Sequence, residues 1–529
     1  MSAFFNQLRH VAVAKAKFID ENSLNDEEFQ CIAPITKQQF QDLLTYCDPV
    51  LQNGRHRYIR RKDLLMFLCK LRQGLSDEFL KVIFDYGSKQ NVSTVIDYVR
   101  RALAQRFVSE NIGPRSITRQ DFIARHVTEF SNILYNPQPN EPKAIVVIDS
   151  TYAYIHKSSH FRVLRQSYSV HKHRHLLKPT LVVAPDGFIL QIFGPYFSDS
   201  RNNDAEILRH DFETDGNALK EWFQRNDIVL VDRGYRDAIP LLQLLGIQYE
   251  MPALLGAGQR QLTTEDANAS RIVTKSRWIV ESRNGHFRSV FKFFANTLCL
   301  QHAKNLDEFY RIAGAILNRY HPMIHMEGAT AQAAQEILER SRIPNAVQAR
   351  VEVDNLTRRN AQWRRLNHRD IPEFPLLDLE YLRHLTLGVY QINLAPSYIQ
   401  DKVLRDNDEE FQLDKHLNEA GFLRIRVYSR FRNAGRHQIF ILFRVADDEG
   451  IENADDADPI TGYYCTCQSG ARTLGACAHV TSVIWFLGYA RHQVDVRYPD
   501  PSLLNTTLDA ANRDAEGHVP NAEIEIIND

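Results

Sequence analysis

No stretch of this 529-residue chain approaches the roughly 20 consecutive apolar residues that a membrane span requires, so neither a spanning helix nor a membrane partner is expected. The opening, MSAFFNQLRHVAVAKAKFIDENS, lacks an apolar h-region and carries acids early, which argues against a secretory or organellar targeting peptide. Cysteine is scarce. Of the seven, Cys31, Cys47, Cys69 and Cys299 stand isolated in apolar surroundings, which argues against a disulfide framework and for a reducing compartment, cytosol or nucleus. An excess of one charge is also missing: 64 basic residues face 65 acidic ones, and a net charge of -1 supplies no overall attraction to phosphates. What remains, 44% hydrophobic and 24% charged residues, is the composition of a soluble globular protein. At about 100 to 200 residues per domain, the chain is too long for one core.

The neutral average conceals a local absence. From Ser150 to Pro185 there is no acid, while Lys157, Arg162, Arg165, Lys172, Arg174 and Lys178 are joined by His156, His160, His171, His173 and His175. The opposite bias occurs between Asp447 and Asp458, where DDEGIENADDAD holds seven acids and reads as a solvated loop. Basic runs at RHRYIRRKD and TRRNAQWRRLNHR fit a nuclear import signal, or a wet helix face, which is favoured.

Three further cysteines are not isolated. Cys465, Cys467, Cys477 and His479 fall in CTCQSGARTLGACAH as two matched pairs separated by residues 468 to 476. Each pair puts two ligands on one short stretch of backbone, and the loop lets them close into the tetrahedral shell of one structural Zn2+. The spacing resembles the SWIM zinc finger. Around it, GVYQINLAPSYI, FLRIRVYSRF and HQIFILFRV alternate as strands do, and a helix over Ala478 to Ala490 would bury Val480, Val483, Ile484 and Leu487. A small α+β zinc-finger domain over 376–497 is therefore expected, followed by a polar tail, 498–529, expected to be disordered.

The region 1–140 reads as helical, with apolar residues at helical spacing in LLMFLCKLRQGLSDEFLKVIF and Val92, Val95, Ile96 and Val99 on one face after the GSKQN turn. Ser76 fits an N-cap. This is the layout of a helix-turn-helix, whose second helix, Ser93 to Arg101, would offer Arg100 and Arg101 to DNA. Many three-helix bundles share the pattern and touch no DNA.

Between 141 and 325 the order of elements is more telling. Ala144 to Ile148 reads as a buried strand ending at Asp149, Leu176 to Gly194 as a hairpin turned by Asp186-Gly187, and Ile228 to Val231 as a short strand ending at Asp232. Helices are expected over Asp204 to Gln224, Arg236 to Leu245 and Asn268 to Arg288, with a fifth strand at Ile247 to Leu254. Singly, an Asp at a strand end is more often a loop or cap residue and a Glu on a helix is usually solvated; Asp204 would sit near the active edge or, the favoured reading, cap its helix. Jointly, Asp149, Asp232 and Glu281 in WIVESRNG favour catalysis.

DST, RQSYSVHKHRHLLKP, DG in the hairpin, SRNNDAEIL, VDRGYRD and RWIVESRNGHFRSVFK, in that order, resemble the DDE endonucleases of the PIF/Harbinger and related insertion-sequence groups. The resemblance covers nearly the whole segment. It implies an α/β RNase H-like catalytic domain, a mixed five-stranded sheet with flanking helices, in which Asp149, Asp232 and Glu281 hold two Mg2+ (or Mn2+) ions about 3.5 to 4 Å apart. It also implies cleavage of double-stranded DNA at transposon ends, transfer of the 3'-hydroxyl strand to target DNA, and a nuclear location; a homo-oligomer and an accessory DNA-binding protein are further partners it admits. The step from Asp232 to Glu281 is long, suggesting an insertion around Leu255 to Ser270; in another register Glu265 or Asp266 would be the third acid, and the ESRNG context favours Glu281. Arg165, Lys172, His175 and Lys178 would grip phosphates near the scissile bond, or merely keep a sheet edge soluble. His171, His173 and His175 would share one strand face, more suited to phosphate or solvent than to a metal. Residues 326–375 complete the layout as a helical connector. Besides a transposase, the sequence admits a domesticated, non-catalytic DNA-binding or chromatin-associated factor, and a nuclease that hydrolyses without joining.

Overall fold

The computed structural model describes residues 21–47, 50–52, 55–214, 219–358, 362–402, 413–429, 436–445 and 458–500, together with Gln7, Ser502 and Thr506. The acidic stretch before Asp458 and nearly all of the expected tail lie outside the described residues. The chain divides into two compact units, Met1–Ile343 and Pro344–Asp529.

The first unit is built on a seven-stranded sheet, not a five-stranded one. Its strands are β1 (Ile145–Ser150), β2 (Ala153–Tyr154), β3 (Tyr168–Ser169), β4 (Arg174–Val183), β5 (Ile189–Tyr196), β6 (Ile228–Leu230) and β7 (Gln248–Glu250). β5, β4 and β1 run antiparallel, then β6 and β7 pair in parallel. The two extra strands are two-residue pieces. They arise because the acid-free segment after Asp149 folds back on the first half of the ten-residue β4. Ile145 to Ile148 and Ile228 to Leu230 are buried throughout, as parallel strands covered on both faces must be. The β4–β5 turn is clamped from below: Arg283, fully buried, donates from Nε to the Gly187 carbonyl at 2.5 Å, and the His126 ring lies 2.8 Å from Asp186.

The long helix Thr264–Val290 starts at the Thr263 cap, earlier than the sequence pattern suggests. The end of the expected insertion, Thr264 to Ser270, is therefore helix. A later helix, Leu306–Tyr320, lies on β5 because Gly314 has no side chain there: a Cβ would come within 2.8 Å of Ile112 and Ile192. The N-terminal helices close around that same helix, so the expected separate region 1–140 shares one unit with the sheet.

This packing takes Arg100 out of reach of an external phosphate. Ser93 to Arg101 lie inside the helix Lys89–Gln105, and only Arg101 among them is exposed. Arg100 is buried and ion-paired with Asp97 and Glu308, and Arg101 Nη2 sits 2.8 Å from Asp97. Of the two expected DNA contacts, Arg101 is therefore open to solvent and Arg100 is not.

The expected connector 326–375 is not one element. Ala331–Ser341 is the last helix of the first unit, whereas Ala346–Val353 and strand β8 (Trp363–Leu366) belong to the second. There β8, β9 (Leu413–His416), β10 (Phe422–Tyr428), β11 (Arg436–Phe443) and β12 (Ile460–Cys465) form an antiparallel meander. GVYQINLAPSYI is a helix here, Tyr390–Lys402, rather than a strand. Its buried apolar residues, Ile392, Ala395, Tyr398 and Ile399, follow a helical period, and they join the core under Ala478–Gly488.

A buried ion pair tests the helical layer. Lys70 Nζ lies 2.6 Å from Asp77 Oδ1 with both side chains 4% exposed, and His302 Nε2 is 3.5 Å from the same oxygen. Burial pushes the Asp77 carboxyl up, but His302 and Lys70 together pull it down to about 2. Asp77→Ala should cost about 3–5 kcal/mol in urea unfolding, because it strands a buried ammonium. Since the folded pKa is depressed, the contribution is complete above the unfolded value of about 3.9 and should vanish as pH falls through about 2.

Candidate active site and metal centre

Strand register brings the first two acids together. Val147 of β1 pairs with Leu230 of β6, so Asp149 and Asp232 each stand two residues past the same rung of a parallel ladder. Asp149 is still on β1, opposite Leu181. Asp232 has left β6 and caps the turn of Arg233–Ala238, its Oδ1 accepting from the Gly234 amide at 2.7 Å.

Both carboxylates converge on one cationic atom. Arg277 Nη2 lies 3.4 Å from Asp149 Oδ1 and 3.9 Å from Asp232 Oδ2. Arg277 is on the long helix four residues before Glu281, hence on the same face one turn earlier. Glu281 is exposed, and its charge reaches Asp149. Glu265 and Asp266 sit in the first turn of that helix, about 24 Å from Glu281 along its axis at 1.5 Å per residue.

A fourth acid belongs to the cluster. Asp204 does not cap its helix; Asn203 does, accepting from the Glu206 amide at 2.9 Å. Asp204 instead pairs with Lys178, Nζ to Oδ1 2.6 Å. A Cβ built on Gly234 would meet Asp204 Oδ2 and Asp232 Oδ1 at 2.9 Å each, so glycine there lets the two carboxylates approach. Burial raises the Asp149 carboxyl to about 7, with Arg277 opposing and Asp232, Asp204 and Glu281 adding to the rise. Crowded carboxylates converging on a guanidinium are a donor set that suits a divalent cation. Among the described residues they do not close to mutual metal-ligand spacing, and Arg277 stands between them.

The expected phosphate contacts divide. Arg165 and Lys172 are exposed. His175 is half-buried with Nδ1 3.1 Å from Ser167 Oγ, and Lys178 is buried against Asp204 and the Asn202 carbonyl. His171 and His173 lie in a turn, His173 at φ 52°, before β4 begins at Arg174; they share no strand face with His175. Arg277 was missed by reading acids and basic runs separately, and Asp204 takes the place near the acids that the sequence ranked second to a helix cap. The signal for Arg277 was its spacing of four from Glu281; for Asp204 it was a neighbouring Asn able to take the cap.

The second unit carries the Cys/His set. Cys465 ends β12, Cys467 follows it, Cys477 caps the helix Ala478–Gly488 and His479 lies in that helix's first turn. All four ligand atoms lie within 4.8 Å of one another, with His479 Nδ1 3.8 Å from Cys465 Sγ and 3.9 Å from Cys477 Sγ. The edges of a tetrahedron around zinc at about 2.3 Å from sulfur are about 3.8 Å, so the set fits. Gly470 closes the knuckle; a Cβ would lie 2.0 Å from the Cys465 carbonyl oxygen.

An acid-lined sheet edge in a mixed α/β unit is the class of site used for phosphoryl transfer. Residues 148–318, which open one position before Asp149 and contain all four acids, match the DDE superfamily endonuclease. Among solved structures, the cryo-EM structure of a piggyBac transposase synaptic complex with hairpin DNA is similar at 11% identity over 66% of this chain and 84% of that one, with a TM-score of 0.29, too distant to bear on the site. No curated protein matches the chain.

The raised Asp149 carboxyl has a measurable consequence. Its folded pKa lies above the unfolded value of about 3.9, so in buffer without divalent cations stability should fall as pH rises from about 4 to 7. Asp149→Asn should therefore raise Tm at pH 8, and the gain should shrink towards pH 4 in calorimetry.

Proposed function

We propose that this chain is a metal-dependent DDE transposase or endonuclease acting in the nucleus, which cuts double-stranded DNA at transposon ends and joins the freed 3'-hydroxyl to target DNA. The observation that carries the reading is the shared register of Asp149 and Asp232 beside Arg277, with Glu281 one helical turn on. Asp149, Asp232 and Glu281 would hold Mg2+ or Mn2+, which supplies charge neutralisation at the phosphate and activation of the attacking oxygen.

The protein's own groups do the positioning. Gly234 fixes the Asp232 carboxylate through its amide. Asp204 holds Lys178 at the edge of the acids, and Arg277 offsets the repulsion between Asp149 and Asp232. Arg165 and Lys172, exposed in the acid-free segment, would bind the DNA backbone. An RNase H-like assignment is consistent with a β5-β4-β1-β6-β7 core and its antiparallel-to-parallel switch.

Labelled duplex incubated with the full chain and Mg2+ should be nicked, and Asp149→Asn or Glu281→Gln should lower the rate by more than about a hundredfold, the scale expected once a metal ligand itself is removed. Cleavage by Asp149→Asn at the wild-type rate would overturn the reading. A pre-cut 3'-hydroxyl end that enters plasmid DNA separates joining from hydrolysis alone.

Cys465, Cys467, Cys477 and His479 would hold one structural Zn2+ that ties β12 to the helix Ala478–Gly488. Metal analysis should find one zinc per chain, lost in Cys477→Ala. Because structural zinc contributes about 10–16 kcal/mol in small modules, the variant should also lose secondary structure in the second unit by circular dichroism.

A further inference from the structure

The acid-free segment exposes apolar side chains where charge alone would serve a phosphate backbone. Phe161 is 75% exposed, Tyr168 39% and Val170 76%. Phe161 opens the helix Phe161–Ser167 and Tyr168 follows its last residue, so their backbone positions lie about 10 Å apart along the helix axis at 1.5 Å per residue, and the Tyr168 ring has His175 on one side, centroids 5.3 Å apart. In the same segment Lys157, Arg162, Arg165, Lys172 and Arg174 are exposed and no carboxylate occurs from Ser150 to Pro185, while Asp199, whose amide donates to the Gln166 carbonyl, is paired with Arg201. Two nearby rings already carry cations: Lys172 Nζ lies 5.1 Å above Tyr152, and the Arg174 guanidinium 4.1 Å above Tyr154. The Phe161 ring faces solvent instead.

Strand β4 serves as a ruler between this face and the acids. Asp149 stands opposite Leu181 and Tyr168 opposite His175, six residues apart, or about 20 Å at 3.3 Å per residue. A nucleic-acid strand advancing about 3.4 Å per nucleotide covers that distance in about six steps. Exposed aromatic rings set among cations are the elements of a single-strand site, because every nucleobase offers a π-face and every nucleotide a charge. In an intact duplex those faces are covered. Only an end or an unpaired stretch can present them.

We infer that Phe161 and Tyr168 form a stacking platform for unpaired nucleobases about six nucleotides from the phosphate that reaches Asp149 and Asp232, an inference that rests on the DNA-cutting reading above. Charge complementarity favours nucleic acid over a second copy of the chain as the occupant.

The test compares a blunt duplex with the same duplex bearing a single-stranded extension, by fluorescence anisotropy of the full chain in magnesium-free buffer. Wild type should prefer the extended DNA about fivefold or more, the low end of one base stacked on one ring. Phe161→Ala should abolish that preference and leave blunt-duplex affinity unchanged, while Phe161→Trp should keep it. A fluorescent purine analogue in the extension should be quenched by wild type and not by Phe161→Ala. Equal losses on both DNAs, or no loss on either, would overturn the platform. So would a Phe161→Ala protein whose dimer dissociates in sedimentation while its DNA preference is intact, since the patch would then belong to a second copy. These outcomes are separate from cleavage: Asp149-dependent nicking without a Phe161-dependent preference leaves the endonuclease reading standing and removes only the platform.

Discussion

Like charges brought within a few ångströms of each other inside a protein must be compensated, and that constraint organises the first unit. The parallel pairing of β1 with β6 sets Asp149 and Asp232 at one level of the sheet edge, and Asp204 arrives from the next helix. Burial and mutual repulsion raise the Asp149 carboxyl, and two cations answer it: Arg277 between the strand acids, Lys178 beside Asp204. Such an arrangement is costly for stability alone, and it is the kind of cost that functional sites carry. The helix bearing Arg277 and Glu281 is in turn held to the sheet by Arg283, whose guanidinium takes the Gly187 carbonyl of the β4–β5 turn. The turn, the helix and the acids are thus one mechanical assembly.

The second unit solves a different problem. A five-stranded meander leaves the end of β12 and the start of the helix Ala478–Gly488 to be joined, and three buried sulfurs with one imidazole meet there. Gly470 makes the knuckle tight enough for that meeting. A core of aliphatic and aromatic residues from Ile371 to Ala490 packs behind it, so the Cys/His set fastens an edge and the apolar core supplies the bulk of the burial.

Much of this was legible in local patterns. Apolar runs ending in Asp149 and Asp232, the Asp186-Gly187 turn and the spacing of Cys465, Cys467, Cys477 and His479 are each written within about fifteen residues, the range over which periodicity and turn chemistry act. The failures share one cause. Arg100 reads as a free cation until Glu308, far away in the chain, takes it. Tyr390–Lys402 reads as a strand until the core shows which of its residues are covered. The two-residue strands that enlarge the sheet exist only because β4 is long enough to receive them.

The sequence by itself determined which residue types were available and in what local order: acids at the ends of buried strands, paired thiols with an imidazole, and a stretch of cations without acids. Those are properties of neighbours in the chain, and backbone geometry alone makes them readable. Only the tertiary structure decided which charges face one another, which cations are spent in pairs and which rings face water. Electrostatic energy and burial depend on distance in space, and residues such as Lys178 and Asp204, or Arg100 and Glu308, become neighbours only after the chain has folded.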